Sequence, residues 1–170
     1  MPVLSAVALS DGSRVRLRPL EVDDRDRLVR LFYRLSPESI YQRFLSPLHS
    51  PSEVGLDRLV DLDHADREAL AAVSGDELVG IARYFRIGAE SAADMAVVVE
   101  DGWQGKGLAP ILLEQLRDLA LRQGIDTFTA TILSQNRPAI RLVRKVFPGA
   151  TFTLDGPELT AFMPFEAPVA

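Results

Sequence analysis

The chain has 170 residues, 47% hydrophobic and 25% charged, with a formal net charge of −5 and no cysteine. That composition suits one globular domain and rules out disulfides, cysteine nucleophiles and thiolate metal sites. The negative charge argues against general nucleic-acid affinity, and no window approaches the roughly 18 continuous apolar residues of a membrane-spanning helix.

The stretch from Met1 to Leu9 lacks the basic n-region of a signal peptide, so a cytoplasmic location is expected. Residues 1–12 read as an N-terminal extension. The first predicted strand runs from Arg14 to Leu20, with Val15 and Leu17 on one face and Arg14, Arg16 and Arg18 on the other. A helix follows over about Asp23 to Arg34, with Leu28, Leu31, Phe32 and Leu35 at helical spacing and Asp23 and Asp24 at its N-terminus. Ser36-Pro37 reads as the cap and first residue of a second helix, to about Phe44. Pro47 and Pro51 break the chain before a third helix, about Ser52 to Leu62.

Glu68 to Val73 and Glu77 to Phe85 form a predicted hairpin about Gly75-Asp76. An apolar, β-branched strand spans Ala93 to Val99. Beyond a glycine loop, a helix over about Pro110 to Arg122 carries the stripe Leu108, Leu112, Leu116 and Leu119 and stops at Gly124. Ile125 to Leu133 alternates Phe128, Ala130 and Ile132 against three threonines. A helix from Arg137 to Phe147 and two strands, near 150–154 and 158–165, complete the order β-ααα-ββ-β-α-β-α-ββ. This is a mixed α/β sheet flanked by helices.

The strongest local signal is the strand, glycine loop and helix around Gln104-Gly105-Lys106-Gly107-Leu108-Ala109. Such a loop presents backbone N–H groups at the positive end of a helix and can bind phosphate without a side-chain cation. Gly105 and Gly107 permit the turn and the close approach. A P-loop is excluded, because Leu108 stands where its lysine belongs. A dinucleotide fingerprint is excluded too. Pro110 fills its third glycine position, and Asp126 starts the next strand instead of ending it. A structural turn without ligand remains the competing reading of the loop alone.

The loop resembles the Q/R-x-x-G-x-G/A signature of the GNAT superfamily, which binds the pyrophosphate of acyl-CoA. Arg16-Leu17-Arg18-Pro19-Leu20, Gly102-Trp103 and Asn136-Arg137-Pro138-Ala139-Ile140-Arg141-Leu142, which follows the family's N-x-x-A-x-x-L, extend the similarity over almost the whole chain. Leu35 to Phe44 resembles the catalytic domain of Pat-type bacterial protein lysine acetyltransferases. The resemblance implies a mostly antiparallel sheet of six to seven strands in one domain, residues 1–170; Pat-type proteins often carry an extra regulatory or ligase-like domain, for which 170 residues are expected to leave no room. It also implies acetyl-CoA as acyl donor. Backbone groups of Val97 and Val99 would meet the pantetheine amides, and N–H groups of Gln104, Gly105, Lys106, Gly107, Leu108 and Ala109 the pyrophosphate. Asn136 would contact the pantetheine arm or a bound water. Asn136 also reads as a helix cap, and the two roles can coexist.

The implied reaction is direct attack of a primary amine, such as a protein lysine, on the thioester. A lysine with pKa about 10.4 loses its proton at a cost of roughly 4.6 kcal/mol at pH 7, against about 1 kcal/mol for an α-amine near 7.8. A lysine enzyme therefore gains much from a base. The Pat-type resemblance puts a catalytic glutamate where this chain has Asp94, one methylene shorter; an ordinary strand-start aspartate is the alternative. Many members carry a tyrosine, in the helix that Asn136 opens, to protonate the leaving thiolate. At that spacing stands Val143. A CoA thiol near pKa 8.5 makes an acid helpful, not obligatory.

Glu100 and Asp101 read as solvated turn residues. The acidic stretch Asp57, Asp61, Asp63, Asp66 and Glu68 reads as a solvated face or an attractor of cations. Trp103 reads as packing beside the loop. His49 and His64 are isolated, so no metal site is expected. A non-catalytic acyl-CoA-binding module and a small-molecule acetyltransferase for antibiotics or polyamines are the alternative functions. A homodimer is one assembly the resemblance admits.

Overall fold

The computed structural model describes residues 5–45, 48–50 and 55–166. One eight-stranded sheet dominates, ordered β1-β2-β3-β4-β5-β6-β8-β7. Its strands are β1 (Ser5–Ala8), β2 (Arg14–Pro19), β3 (Arg67–Ser74), β4 (Glu77–Arg86), β5 (Ala92–Val99), β6 (Thr127–Leu133), β7 (Thr151–Asp155) and β8 (Glu158–Pro164). The helices are α1 (Arg25–Arg34), α2 (Pro37–Phe44), α3 (Leu56–Val60), α4 (Leu108–Arg122) and α5 (Arg137–Val146). All neighbouring pairs are antiparallel except β5 and β6.

Eight strands exceed the expected six to seven. The added strand is Ser5–Ala8, from the segment expected as an extension, and it pairs with β2 from Ser5–Leu17 to Ala8–Arg14. Four residues carry too short a pattern to announce a strand; the partner edge decides it. The third helix also differs from its expected range. It begins at Leu56, and its expected start near Ser52 lies outside the described residues.

Helices cover both faces of the central strands. On one face α4 buries Leu108, Leu112, Leu113, Leu116 and Ala120, and α5 buries Val143 and Val146. On the other, α1 contributes Leu28, Leu31 and Phe32, α2 Ile40, and α3 Leu56 and Val60. Coverage on both sides explains why β3 is buried continuously from Glu68 to Val73, apolar without alternation from Ala69 on. Leu119, expected in the α4 stripe, sits at the core's margin, and Ala120 is the buried residue.

Helix α4 lies close on β4. A Cβ on Gly80 would stand 3.1 Å from Leu112 Cδ1 and 3.2 Å from Leu108 Cδ2. The missing side chain lets the first turn of α4 settle against the sheet, which places the glycine loop over the end of β5. No helix among the described residues is long and apolar enough to cross a membrane.

Candidate active site

The parallel pairing of β5 with β6 is brief. It joins Ala92 to Thr127, Ala93 to Phe128 and Asp94 to Thr129, and then stops. Residues 95–99 of β5 and 130–133 of β6 diverge. Met95, Ala96 and Val97 on one side and Ala130, Thr131 and Ile132 on the other line the resulting slot, with Asn136 and Val143 of α5 behind them.

Backbone polarity in this slot follows from strand geometry. Glu100 donates its N–H to the Val79 carbonyl at 2.9 Å. Even-numbered residues of β5 therefore address β4, and odd-numbered ones address the β6 side. Past Asp94 that side has no strand partner, so Val97 turns its N–H and C=O into the slot. Val99 faces the same way, and its carbonyl accepts from Gln104 Nε2 at 3.0 Å.

The slot widens into a cleft of about 460 Å³ lined by β5, the glycine loop, α2 and α5. Helix α4 starts at Leu108, two residues earlier than expected, with Gly107 as its N-cap at φ +87°. Gly105 is also left-handed, at φ +75°. At neither position would a Cβ meet another atom within 4 Å, so backbone conformation, not packing, favours glycine here. Leu108 and Ala109 become the first two helical residues, whose N–H groups have no partner within the helix. Pro110 falls third and has no N–H to orphan. Among the described residues, Gly105, Lys106 and Gly107 donate none of the backbone hydrogen bonds that tie the turns.

One loop residue departs from its expected role, and a second leaves its N–H available while its side chain turns outward. The Gln104 N–H donates to the Asp101 carbonyl at 3.3 Å, so it is not free for an anion; its side chain instead braces Val99 and Ser39 Oγ. The Lys106 side chain turns away from the cleft. Its ammonium pairs with Asp11 at 2.9 Å and lies 4.8 Å from the Trp103 ring centre. Its carbonyl accepts from Ser10 at 3.0 Å. The β1–β2 turn thus props the loop from outside.

Glu100 and Asp101, read from sequence as solvated, are both engaged. Glu100 pairs with Arg34 Nε at 2.7 Å. Asp101 accepts from the Ser36 N–H at 2.9 Å, Ser36 Oγ at 2.8 Å and Ser39 Oγ at 3.0 Å. They fasten α1 and α2 to the loop. The acidic stretch is likewise paired: Asp57 with Arg25, Asp61 with Arg67, Asp66 with Arg86 and Glu68 with His64. No group of three or more candidate metal ligands occurs among the described residues.

Asn136 caps α5. Its Oδ1 accepts from the Ala139 N–H at 3.3 Å, and the residue lines both slot and cleft. Capping and a position facing the slot coexist. Asp94 lies at the closed end of the slot, beside lining residues Met95 and Ala96, on the opposite sheet face from Met95. Thr129 Oγ1 donates to Asp94 Oδ1 at 3.1 Å. Burial raises this carboxyl above the ordinary aspartate range; the Thr129 hydrogen bond and the Arg43 charge pull against burial without cancelling it. Val143 is buried on the slot wall, where a tyrosine was lacking from the sequence. Tyr84 spends its hydroxyl on the Ala65 carbonyl, and Tyr33 and Tyr41 are exposed.

Sequence reasoning missed Ser39 and Arg43 of α2, and Arg141 and Lys145 of α5, all of which line the cleft. The α5 pair had a usable signal, an i, i+4 spacing on one helix face. The α2 pair had one as well, Ser39 and Arg43 on one face, but its relation to the loop depends on tertiary contacts.

Comparison with known proteins agrees with this geometry. Residues 34–147 match the family model described as Acetyltransferase (GNAT) family. The chain is 34% identical over 134 residues to "Acetyltransferase PA5475" of Pseudomonas aeruginosa, covering 76% of this chain and 72% of that protein. It is 29% identical over 133 residues to "Acetyltransferase Pat" of Mycolicibacterium smegmatis, of whose length it spans 40%. The solved GNAT domain of S. lividans PAT superposes with a TM-score of 0.87 at 34% identity, covering 94% of this chain and 96% of that one. The fold is also shared with yncA of Salmonella typhimurium, solved with its cofactor acetyl-CoA, at a TM-score of 0.70 and 20% identity over 92% of this chain and 96% of that one.

Proposed function

Because the chain belongs to the GNAT acetyltransferase family, we propose that it transfers acetyl from acetyl-CoA to a primary amine, a lysine of a polypeptide, by direct attack on the thioester. The observation that carries this reading is the β5–β6 divergence. It opens a slot with the unpartnered backbone of Val97 on its wall, the glycine loop at one end and Asp94 at the other.

In this reading the donor lies along that line. The N–H groups of Gly105 to Ala109 receive the pyrophosphate at the start of α4, and Arg141 and Lys145 add positive charge to the same cleft. The pantetheine arm pairs with Val97 and passes Asn136. Asp94, with its raised pKa, takes the proton of the attacking ammonium, directly or through one water, and Thr129 fixes the carboxylate's orientation. The amine nitrogen bonds to the acyl carbon, the C–S bond breaks, CoA leaves as thiolate, and the second nitrogen proton passes to solvent as the amide forms. With Val143 on the slot wall, that thiolate leaves without a tyrosine to protonate it. A lysine acceptor fits the open approach to Asp94, where Phe85 and Phe162 are half-exposed on the same sheet face and a long aliphatic stem can descend between them. Residues 1–170 act as one catalytic domain.

Release of CoA thiol from acetyl-CoA over a panel of amines and lysine peptides tests the proposal. Turnover is expected with a lysine peptide and should be largely lost in Asp94→Asn. Tight CoA binding with no turnover of any amine, and no difference in Asp94→Asn, would instead identify a non-catalytic acyl-CoA-binding module.

A further inference from the structure

Two arginines on the Asp94 face of the sheet make no ion pair among the described residues. Arg43 projects from α2. Arg83 lies on β4 opposite Ala96, on the same sheet face as Asp94. Several other arginines on this side of the sheet are ion-paired: Arg25 with Asp57, Arg34 with Glu77 and Glu100, and Arg67 with Asp61. Among the described residues, Arg43 instead lies 4.7 Å from the Phe44 ring centre, and Arg83 donates only to the Leu59 carbonyl at 3.4 Å. Arg43 feels both the Asp94 carboxylate and the like charge of Arg83, and Arg83 sits opposite Ala96, next along that sheet face from Asp94.

The setting makes that imbalance costly. Arg43 is held down to about 10, below the ordinary guanidinium range, first by burial and then by the like charge of Arg83. Burial lowers Arg83 as well. Both side chains are half-buried, and a half-buried cation without a carboxylate bonded to it is favoured by an incoming anion. Both residues line one cavity of about 40 Å³, otherwise apolar, between α1, α3 and the sheet. That exceeds the roughly 10–15 Å³ a single water needs. Arg43 also lines the cleft and the slot, so it joins this cavity to the reaction path. The coupling of Arg43 to Asp94 and the place of Arg83 opposite Ala96 set the pair toward the acyl end. Ser39, which contacts Gln104, lies one helical turn, about 6 Å, before Arg43 on α2.

We propose that Arg43 and Arg83 form a carboxylate-binding subsite that selects acceptors carrying a carboxylate close to the reacting amine. This rests on the acetyltransferase reading of the slot and names the substrate class within it. The carboxylate offsets the surplus positive charge, and the paired donors of each guanidinium suit its two oxygens. It comes from an acidic neighbour in a polypeptide or from the α-carboxylate of a free amino acid.

The test compares kcat/KM for matched acceptors with acetyl-CoA as donor: a lysine peptide with flanking glutamates against its glutamine counterpart, and Nα-acetyl-lysine against its amide. The carboxylate member of at least one pair should be favoured by about 10- to 100-fold, the range expected for a charge-assisted hydrogen-bonded contact. Which pair shows the preference identifies the source. The ratio should fall to within about twofold in Arg83→Gln and recover in part in Arg83→Lys, which keeps the charge. A ratio near one in the wild type, or one unchanged in Arg83→Gln, overturns the proposal. So does a preference for succinyl-CoA over acetyl-CoA that Arg83→Gln abolishes, since the anion then belongs to the donor. If no amine reacts at all, the acetyltransferase reading fails separately. The subsite is then judged by thermal stabilisation of the CoA-bound protein by glutarate, present in the wild type and absent in Arg83→Gln if the proposal holds, and absent from both if it does not.

Discussion

Thr129 Oγ1 donates to Asp94 Oδ1 at 3.1 Å, at the last residue pair that joins β5 to β6. The strands part immediately beyond it. The same pair therefore closes the slot and orients its carboxylate.

Asp94 should trade stability for activity. Its folded pKa is raised by burial, so the proton is favoured in the folded state. The stabilising contribution is complete below the unfolded pKa, near 3.9, and is lost as pH rises through the higher folded value. At neutral pH the ionised carboxylate is a liability. Asp94→Asn should raise the urea midpoint at pH 7 while lowering kcat by about 100-fold or more, the usual scale for losing a general base. The wild-type rate should climb with pH through the raised Asp94 pKa. A variant that is less stable and equally active would contradict both assignments.

Asp24 should behave in the opposite sense. It is 1% exposed and takes both Arg18 guanidinium nitrogens at 2.7 Å, with the Glu21 N–H at 2.8 Å. Burial works to raise its pKa, but the Arg18 bonds and the Glu21 N–H outweigh burial and hold it below the usual range. Its contribution is present above the unfolded value near 3.9 and disappears as pH falls through the folded one. Asp24→Asn should cost about 3 kcal/mol at pH 7, since it leaves the half-buried Arg18 without its charged partner. Urea unfolding at pH 7 and at pH 3 checks this, with the deficit shrinking in acid.

The glycines around the loop should differ among themselves. Gly107 sits at φ +87° with open space where a Cβ would go. Gly107→Ala should cost about 1–2 kcal/mol through the left-handed backbone alone and raise the KM for acetyl-CoA. Gly102 has equal room and no such φ. Gly102→Ala should leave that KM within about twofold, as surface substitutions without a strained conformation usually do. Equal effects at the two positions would remove the conformational argument.

Features encoded locally were legible in the sequence. Ser36-Pro37 opens α2, with Ser36 Oγ accepting from the Ser39 N–H at 3.1 Å, because cap and proline act within one turn. Gly105 and Gly107 announce a loop for the same reason. Features made by distant segments were not legible. Ser36 and Ser39 reach Asp101 across more than sixty positions, so Asp101 looked like a solvated turn residue. Arg43 and Arg83 meet at one cavity from a helix and a strand that periodicity places only separately. Gly80 read as an interior strand residue, since its closeness to Leu108 and Leu112 depends on where α4 crosses the sheet.

Gln104 provides the sharpest division between binding and chemistry. Its Nε2 donates to the Val99 carbonyl at 3.0 Å and approaches Ser39 Oγ at 3.3 Å. It is the side chain that ties the loop to β5 and α2 together. Gln104→Glu keeps the shape but replaces the donor by a carboxylate that faces a carbonyl oxygen and the cleft proposed for pyrophosphate. The contact with the Val99 carbonyl becomes repulsive, and the loop should shift from the end of β5. The KM for acetyl-CoA should rise about tenfold or more, the scale of one lost hydrogen bond plus an opposing charge. Asp94 and Thr129 lie at the far end of β5 from this brace, so kcat at saturating donor should fall much less. Initial-rate measurements with varied acetyl-CoA separate the two parameters. A fall in kcat with unchanged KM would move Gln104 from holding the donor to taking part in the transfer itself.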